Sequence, residues 1–445
     1  IGQLYRYQQF LPNLVHDGNL PKASLFWLED FWRRGQKKAR SCQLLVTNHA
    51  YLVTRLEDDP SLLEGRLLIL DEAQKILLTL ESLLQKSFVL NDIVDQLDQA
   101  LVREEGTLQR RLMESIRFEL CHLMDQFLSG KRRMCPATTM AQLQQDFSEL
   151  GGQSFQDYQR FFCTDGEFWL SASDLSSKKV VISSSRNQRL LFSEIFPESC
   201  QLLAVSATLE ISSRVSLPEL MGFPHAAFDR LDENFQENQE ILVVKDFPLV
   251  TETSQEDYAH ALVEVLEDLS YLEEPMLVLF TSKDLLLQVS DSLSLSHLAQ
   301  YKNGDPAQLK KRFERGDSQL LLGTGSFWEG VDFATHPRVI EVVTLLPFQN
   351  PEDPFTKKMN QELRLEGKNP FYDYQLPMAI IRLKQAIGRT MRRLGQRSSV
   401  LILDSRMTSK RYGKQIGKAL SQTSRVREIG KEQVFSKVQE FLHKK

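Results

Sequence analysis

The sequence predicts an α/β fold built on two parallel sheets, the first of them interrupted by a helical insertion. Short continuous apolar runs end abruptly in polar residues, as strands buried on both faces do. These runs alternate with stretches of helical periodicity, the pattern of a parallel sheet with crossover helices. One long segment between two of the runs repeats apolar residues every three and four positions and is helical throughout.

Leu44 to Val46 and Leu67 to Leu70 are the first two runs and read as parallel strands of one layer. From Lys75 to about Gly151 stretches such as LNDIVDQLDQAL and LMESIRFELCHLMDQFL read as helices, so a helical insertion follows. After a mixed aromatic segment, Phe155 to Ser173, the runs Val180 to Ser183 and Leu202 to Val205 read as the first layer resuming. Polar, acidic Asp229 to Gln239 reads as a linker. Strands then recur at Ile241 to Val244, Met276 to Phe280, Leu320 to Leu322, Val339 to Leu346 and Val400 to Leu403, with helices such as Tyr258 to Leu269 and Met378 to Leu394 between them. The expected organisation is a first sheet domain over 1–75, the insertion over 76–175, the first domain continued over 176–228, a linker over 229–239 and a second sheet domain over 240–445.

The 445 residues, 42% hydrophobic and 25% charged, suffice for two or three domains with buried cores. No apolar run approaches the roughly 20 residues of a membrane span, and no charged-then-apolar signal segment opens the chain, so a soluble, cytoplasmic protein without membrane partners is expected. The chain opens on Ile1 with residues that read as mid-domain, which suggests a carboxy-terminal portion of a longer protein. Cys42, Cys121, Cys135, Cys163 and Cys200 form no C-x-x-C pair, and reduced thiols with no metal site are expected. The net charge of −5 is unevenly spread: Arg382 to Lys445 carries 17 Lys and Arg against 4 Asp and Glu, the rest of the chain 37 against 55. A basic module on an acidic body suggests a polyanionic partner, with a solvated basic surface as the alternative.

Leu67 to Leu70 runs directly into Asp71-Glu72-Ala73-Gln74. Ligands of parallel sheets sit beyond the carboxyl ends of strands, where Asp71 would hold Mg²⁺ and Glu72 would orient a water for attack on a phosphate. A helix N-cap Asp with a first-turn Glu gives the same letters. Ser206-Ala-Thr208-Leu follows another apolar run and reads either as a coupling element or as a capped turn. Gly323-Thr-Gly-Ser and Phe327-Trp-Glu329-Gly330-Val-Asp332 place glycines and carboxylates at a strand end, where the backbone can approach a ligand or simply turn. In Gln385-x-x-Gly388-Arg389-x-x-Arg392 the spacing would put three long polar side chains on one helical face, suited to the spread charge of a transferring phosphoryl group. A solvated basic face is the alternative, although Gly388 would weaken a helix for no structural return. Phe26 to Arg40 interleaves aromatic and basic residues and reads as a strand-binding segment, an amphipathic helix, or both.

Taken in order, VTNHAYL (Val46 to Leu52), DEAQ, SATL (Ser206 to Leu209), LVLFTS (Leu277 to Ser282), GTGSFWEGVDF (Gly323 to Phe333), LPFQNPEDP (Leu346 to Pro354) and QAIGRTMRR (Gln385 to Arg393) resemble the later motifs of superfamily 2 helicases of the DinG/XPD group. The resemblance spans nearly the whole chain. It implies two RecA-like motor domains, the first truncated at its amino end, with an arch-like insertion that helps enclose single-stranded DNA. It implies ATP as substrate with Mg²⁺, Asp71 and Glu72 serving metal and water, and Gln385, Arg389 and Arg392 reaching the nucleotide from the second domain. Ala73, Gln74, Ser206, Thr208, Glu329, Gly330, Asp332 and Gly388 would bind nucleotide or couple the site to DNA, and 5′-to-3′ movement is implied.

Two departures qualify the pattern. Lysines follow Gly130, Gly367, Gly413, Gly417 and Gly430, yet none belongs to a G-x-x-x-x-G-K-[ST] phosphate loop, so that loop is expected upstream in a missing amino-terminal part and this chain alone is expected to be inactive. Only Cys42 precedes Asp71, so no iron-sulfur cluster is expected. Cluster-free members resemble the DinG proteins of Gram-positive bacteria, in which a 3′-5′ exonuclease domain is fused upstream. A role in DNA repair or replication is the corresponding expectation.

Overall fold

The computed structural model describes residues 35, 37–39 and 41–444, except 105, 132, 151–154, 165, 173–178, 187–189, 209–210, 212–214, 228, 230–235, 329–330, 332, 334–335 and 392–394. Its strands are β1 (Leu67–Leu70), β2 (Gln85–Val89), β3 (Gly166–Ala172), β4 (Val180–Arg186), β5 (Gln201–Ala204), β6 (Gln236–Val244), β7 (Met276–Leu279), β8 (Leu298–Ala299), β9 (Leu320–Gly323), β10 (Arg338–Val343), β11 (Arg397–Ile402) and β12 (Ser424–Ile429). The chain divides into two units, one made of Ile1–Leu80 with Phe192–Val205 and the other of Glu81–Leu191 with Ser206–Lys445.

In the first unit β1 pairs in parallel with β5, from Leu67 opposite Gln201 to Leu70 opposite Ala204. Leu70 is buried, but Leu67 and Ile69 are 55% and 59% exposed. The expected burial on both faces is therefore not met, because no described element covers that side of the two-stranded ladder. Leu44 to Val46 forms no strand, and Leu44 and Val46 are exposed. Without a ladder to pair with, three apolar residues have nothing to hold them extended. The helix His49–Asp58 starts where the Asn48 side chain accepts the Tyr51 N–H at 2.8 Å, and it buries Leu52, Val53 and Leu56.

Two apolar cores can be followed among the described residues of the second unit. Around one stand the helices Leu90–Leu101, Thr107–Leu128, Ala137–Leu150 and Gln156–Phe162. The longest buries Leu112, Met113, Ile116, Leu120 and Leu123, the three-and-four spacing read from the sequence. Phe147 stacks on Phe162 at 4.7 Å, and Phe161 meets Phe168 edge-on at 5.4 Å. Asp146 is buried there because it accepts hydrogen bonds from Ser115 Oγ at 2.7 Å and Gln142 Nε2 at 2.8 Å. This insertion is not wholly helical. β4 pairs antiparallel with both β2 and β3, and its Val180 and Ile182 belong to the insertion's core. Val180 to Ser183 is thus corrected from a strand of the first parallel layer to the centre of an antiparallel sheet; a short apolar run does not reveal the direction of its partner.

The other core lies against one face of a seven-stranded sheet in the order β12-β6-β11-β10-β7-β9-β8, every pair parallel. Leu242, Val278, Ile340 and Leu401 turn one way and pack with the helices Gln255–Ser270, Lys283–Ser292 and Val434–Leu442. β6 starts at Gln236, inside the stretch read as a linker, and its Gln239 and Glu240 are buried. The Tyr258 hydroxyl lies 2.8 Å from the Thr344 carbonyl oxygen and 2.9 Å from that of Leu403, spanning the carboxyl ends of β10 and β11. Among the described residues no helix is long and apolar enough to cross a membrane.

Candidate functional site

In the first unit the chain leaves β1 through a turn at Asp71 to Gln74 and enters the helix Lys75–Leu84. Leu70 O accepts the Val205 N–H at 2.8 Å and Val205 O the Ala73 N–H at 2.9 Å, so the parallel ladder itself fixes where the turn begins. His49, at the head of its helix, lies with Nε2 2.9 Å from the Asp71 carbonyl oxygen. Ala73 and Gln74 are buried, whereas Asp71 and Glu72 are exposed. Glu72 has φ +50°, a left-handed conformation that costs a non-glycine residue roughly 1–2 kcal/mol. Its backbone N–H donates to Asp71 Oδ1 at 2.9 Å, and the buried Gln74 amide donates to its carboxylate. The carboxylates line a groove of about 830 Å³ together with Asn48, His49 and β1. Asp71 is no helix N-cap: its side chain bonds the next residue, and the helix starts only at Lys75. Among the described residues no three His, Cys, Asp or Glu side chains gather to cage a metal. Two adjacent carboxylates fit Mg²⁺, which keeps much of its water and is commonly shared with phosphates.

The remaining described candidates lie in the second unit. Ser206 is exposed, Thr208 is buried, and the Thr208 N–H donates to Ser206 Oγ at 3.0 Å. Gln385 and Gly388 close the helix Leu376–Gly388, and Arg389 is its C-cap. The helix expected to run to Leu394 therefore ends six residues earlier. Its end is stitched by Gln239 Nε2, which donates to Ile387 O at 2.9 Å and Thr390 Oγ1 at 2.8 Å. Gln385 and Arg389 keep their one-turn spacing, and the enclosed Nε2 of Gln385 has no hydrogen-bond partner. A donor left in that state suits a ligand acceptor. A Cβ at Gly388 would meet nothing within 4 Å, so packing does not demand glycine there. At Gly323 the opposite holds: a Cβ would fall 2.3 Å from Phe327 Cγ, so this glycine serves packing rather than ligand approach. Glu329, Gly330, Asp332 and Arg392 lie outside the described residues, as do 26–34, 36 and 40 of the aromatic-basic segment.

Some motif residues have local duties. Ser282 caps the helix Lys283–Ser292, and Asp353 caps Pro354–Leu365 through the Thr356 N–H at 3.0 Å. Asp404 and Arg406, just past β11, stand outside the sequence motifs. Buried Asp404 accepts the Leu346 N–H at 2.8 Å and Arg406 Nε at 2.9 Å, while the guanidinium carbon stands 5.7 Å from the Phe348 ring centre. An apolar run followed by Asp, the same signal as at Asp71, was there to be read.

Residues 265–423 match the family described as helicase C-terminal domain. The 3′-5′ exonuclease DinG of Bacillus subtilis is 30% identical over 249 residues, 53% of this chain and 27% of the relative. The ATP-dependent DNA helicase YoaA of Haemophilus influenzae is 36% identical over 138 residues, 31% of this chain and 22% of the relative. The chain thus spans about a quarter of the length of these curated relatives. A solved structure named XPD_Helicase superposes with a TM-score of 0.55 at 16% identity, covering 82% of this chain and 68% of that one. S. tokodaii Xpd4 gives 0.54 at 15%, covering 89% and 80%. At such identities the likeness is one of fold, and it agrees with the α/β class and parallel sheet described above.

Proposed function

We propose that this chain is the motor portion of an ATP-dependent DNA helicase of the DinG/XPD group, acting in the cytoplasm on single-stranded DNA or on duplexes with single-stranded tails. Asp71 holds the Mg²⁺ that accompanies the nucleotide, and Glu72 orients the attacking water. Arg389 and Arg392 neutralise charge on the phosphoryl group in transfer and the Gln385 amide reaches the nucleotide as a hydrogen-bond donor, while Ser206, Thr208, Glu329 and Asp332 link turnover to movement along the strand, in DNA repair or replication. In this reading the first motor domain covers 1–75 and 176–228 around an arch-like insertion, the second covers 240–445, and the phosphate cradle is supplied by sequence outside the 445 residues.

The observation that carries the reading is the backbone of Glu72. Left-handed strain in a glutamate beyond a parallel strand is not what a surface cap needs, and such strain concentrates where a side chain must be aimed. The test is DNA-stimulated phosphate release and strand displacement by the chain joined to its phosphate-loop sequence. Glu72→Gln and Arg389→Ala should each lower turnover on the order of 10³-fold. Phosphate release from the 445 residues alone, stimulated by DNA and abolished by Glu72→Gln, would contradict the reading.

The name of the Bacillus relative favours a second reading, in which the motor fold is a DNA-binding module that tunes a fused 3′-5′ exonuclease without unwinding. ATP-tuned degradation without strand displacement would select it; strand displacement by the joined protein would eliminate it.

A further inference from the structure

The second sheet carries a strained, exposed aromatic side chain that lies outside the sequence motifs. Tyr301 lies two residues past β8 with φ +72°, a conformation in which a bulky residue is a true outlier. Its side chain is nevertheless held. The hydroxyl sits 2.9 Å from Thr324 Oγ1, just past the end of β9, and Gln300 Oε1 in turn accepts the Thr324 N–H at 2.7 Å. The Lys283 ammonium, at the head of the helix that follows β7, stands 4.8 Å from the ring centre. The tyrosine remains 49% exposed. β7, β9 and β8 are neighbours in that order, so all these groups collect at one carboxyl edge of the sheet. The exposed Thr281 and Ser326 share that edge, and Lys310 Nζ lies 3.2 Å from Ser326 O.

An apolar core would bury the ring, and a turn would place glycine or asparagine at this φ. A fixed, half-exposed ring beside lysines and hydroxyls is what a single strand requires: a face for a base and donors for phosphates. We propose that Tyr301 is a stacking platform for one base of single-stranded DNA, with Lys283 and Lys310 attracting the adjoining phosphates. This deepens, and rests on, the helicase reading above.

The test uses the 445-residue chain with a fluorescein-labelled oligothymidylate of 20 nucleotides and an abasic strand of equal length, titrated by anisotropy at several salt concentrations. Tyr301→Ala should weaken binding to oligothymidylate roughly tenfold with the salt slope unchanged, and should leave the abasic strand's affinity as in wild type. Lys283→Gln should weaken both strands and lower the salt slope by about 0.7. Tyr301→Gly separates stacking from folding, since glycine accepts this φ: its thermal midpoint should equal or exceed wild type while oligothymidylate binding falls as in Tyr301→Ala. Wild-type affinity of the two Tyr301 variants for oligothymidylate, or equal losses on both strands, overturns the platform and leaves the helicase reading standing. A wild-type chain that binds neither strand refutes the platform and counts against the reading too.

Discussion

Glu341 is a buried, unpaired carboxyl in the second sheet, and its titration tests the packing there. It lies in β10 with Leu277 of β7 and Val400 of β11 as its partners in register, and it is 1% exposed. Neither carboxylate oxygen has a hydrogen-bond partner. Burial, with no charged neighbour contributing, pushes its pKa from 4.5 up to about 8. The folded chain therefore binds a proton at pH 7 that the unfolded chain has released. A folded pKa raised in this way leaves stability intact below pH 4.5 and removes it as pH rises toward 8. One pKa unit is worth about 1.4 kcal/mol, so the group withdraws roughly 3 kcal/mol at pH 7 and 3–4 kcal/mol between pH 5 and pH 8. Glu341→Met removes both the proton uptake and the unpaired oxygens and should gain about 3 kcal/mol at pH 7. Glu341→Gln should gain less, because its amide is also unpaired. The assay is urea unfolding by circular dichroism at pH 5, 6, 7 and 8. Glu240, pushed up to about 7 by burial, titrates in the same window but is common to every variant, so the difference from wild type isolates Glu341. Wild-type and Glu341→Gln profiles that stay parallel from pH 5 to pH 8 would refute the reasoning.

Gly323→Ala forces a Cβ to 2.3 Å from the ring of fully buried Phe327 and should cost about 1–3 kcal/mol in chemical denaturation, whereas a wild-type midpoint would mean that Phe327 repacks. Gly388→Ala should stabilise the fold by up to about 1 kcal/mol while slowing DNA-stimulated turnover of the joined protein; unchanged turnover would remove Gly388 from the site. Tyr258→Phe strips a buried hydroxyl from two carbonyls and should lower stability by about 1–3 kcal/mol, measured by the same urea transition, and no loss would show that neither contact matters.

The parallel sheet was legible because its strands are buried on both faces and leave uninterrupted apolar runs such as Leu320 to Leu322. The antiparallel β4 was not, because pairing direction depends on Phe88 and Leu170, remote in sequence. Asp71, Glu72, Gln385 and Arg389 could be chosen from their spacing, since the end of a strand and one turn of a helix are local features. The end of the Leu376–Gly388 helix could not, because it is set by Gln239, nearly 150 residues away in the chain. Tyr301 escaped for a different reason. Its signal is a backbone angle, and nothing in the letters Ala-Gln-Tyr-Lys announces one.

The non-glycine residues at positive φ among those described are Glu72, Glu273 and Tyr301. Glu273 lies in the turn before β7, but Glu72 and Tyr301 each stand two residues past the carboxyl end of a parallel strand. At that point the ladder has just released the chain, and a residue that kept to ordinary φ would continue in the strand's direction or enter the following helix. A left-handed residue instead reverses the backbone within one peptide and turns its side chain out past the sheet edge. The rigid ladder behind it bears the strain: Val205 bonds Leu70 and Ala73 around Glu72, and Gln300 bonds Leu322 and Thr324 beside Tyr301. Glycine would adopt either angle with less strain but would present no carboxylate and no ring. In the readings proposed above, those side chains serve phosphate chemistry at Glu72 and a nucleic-acid base at Tyr301.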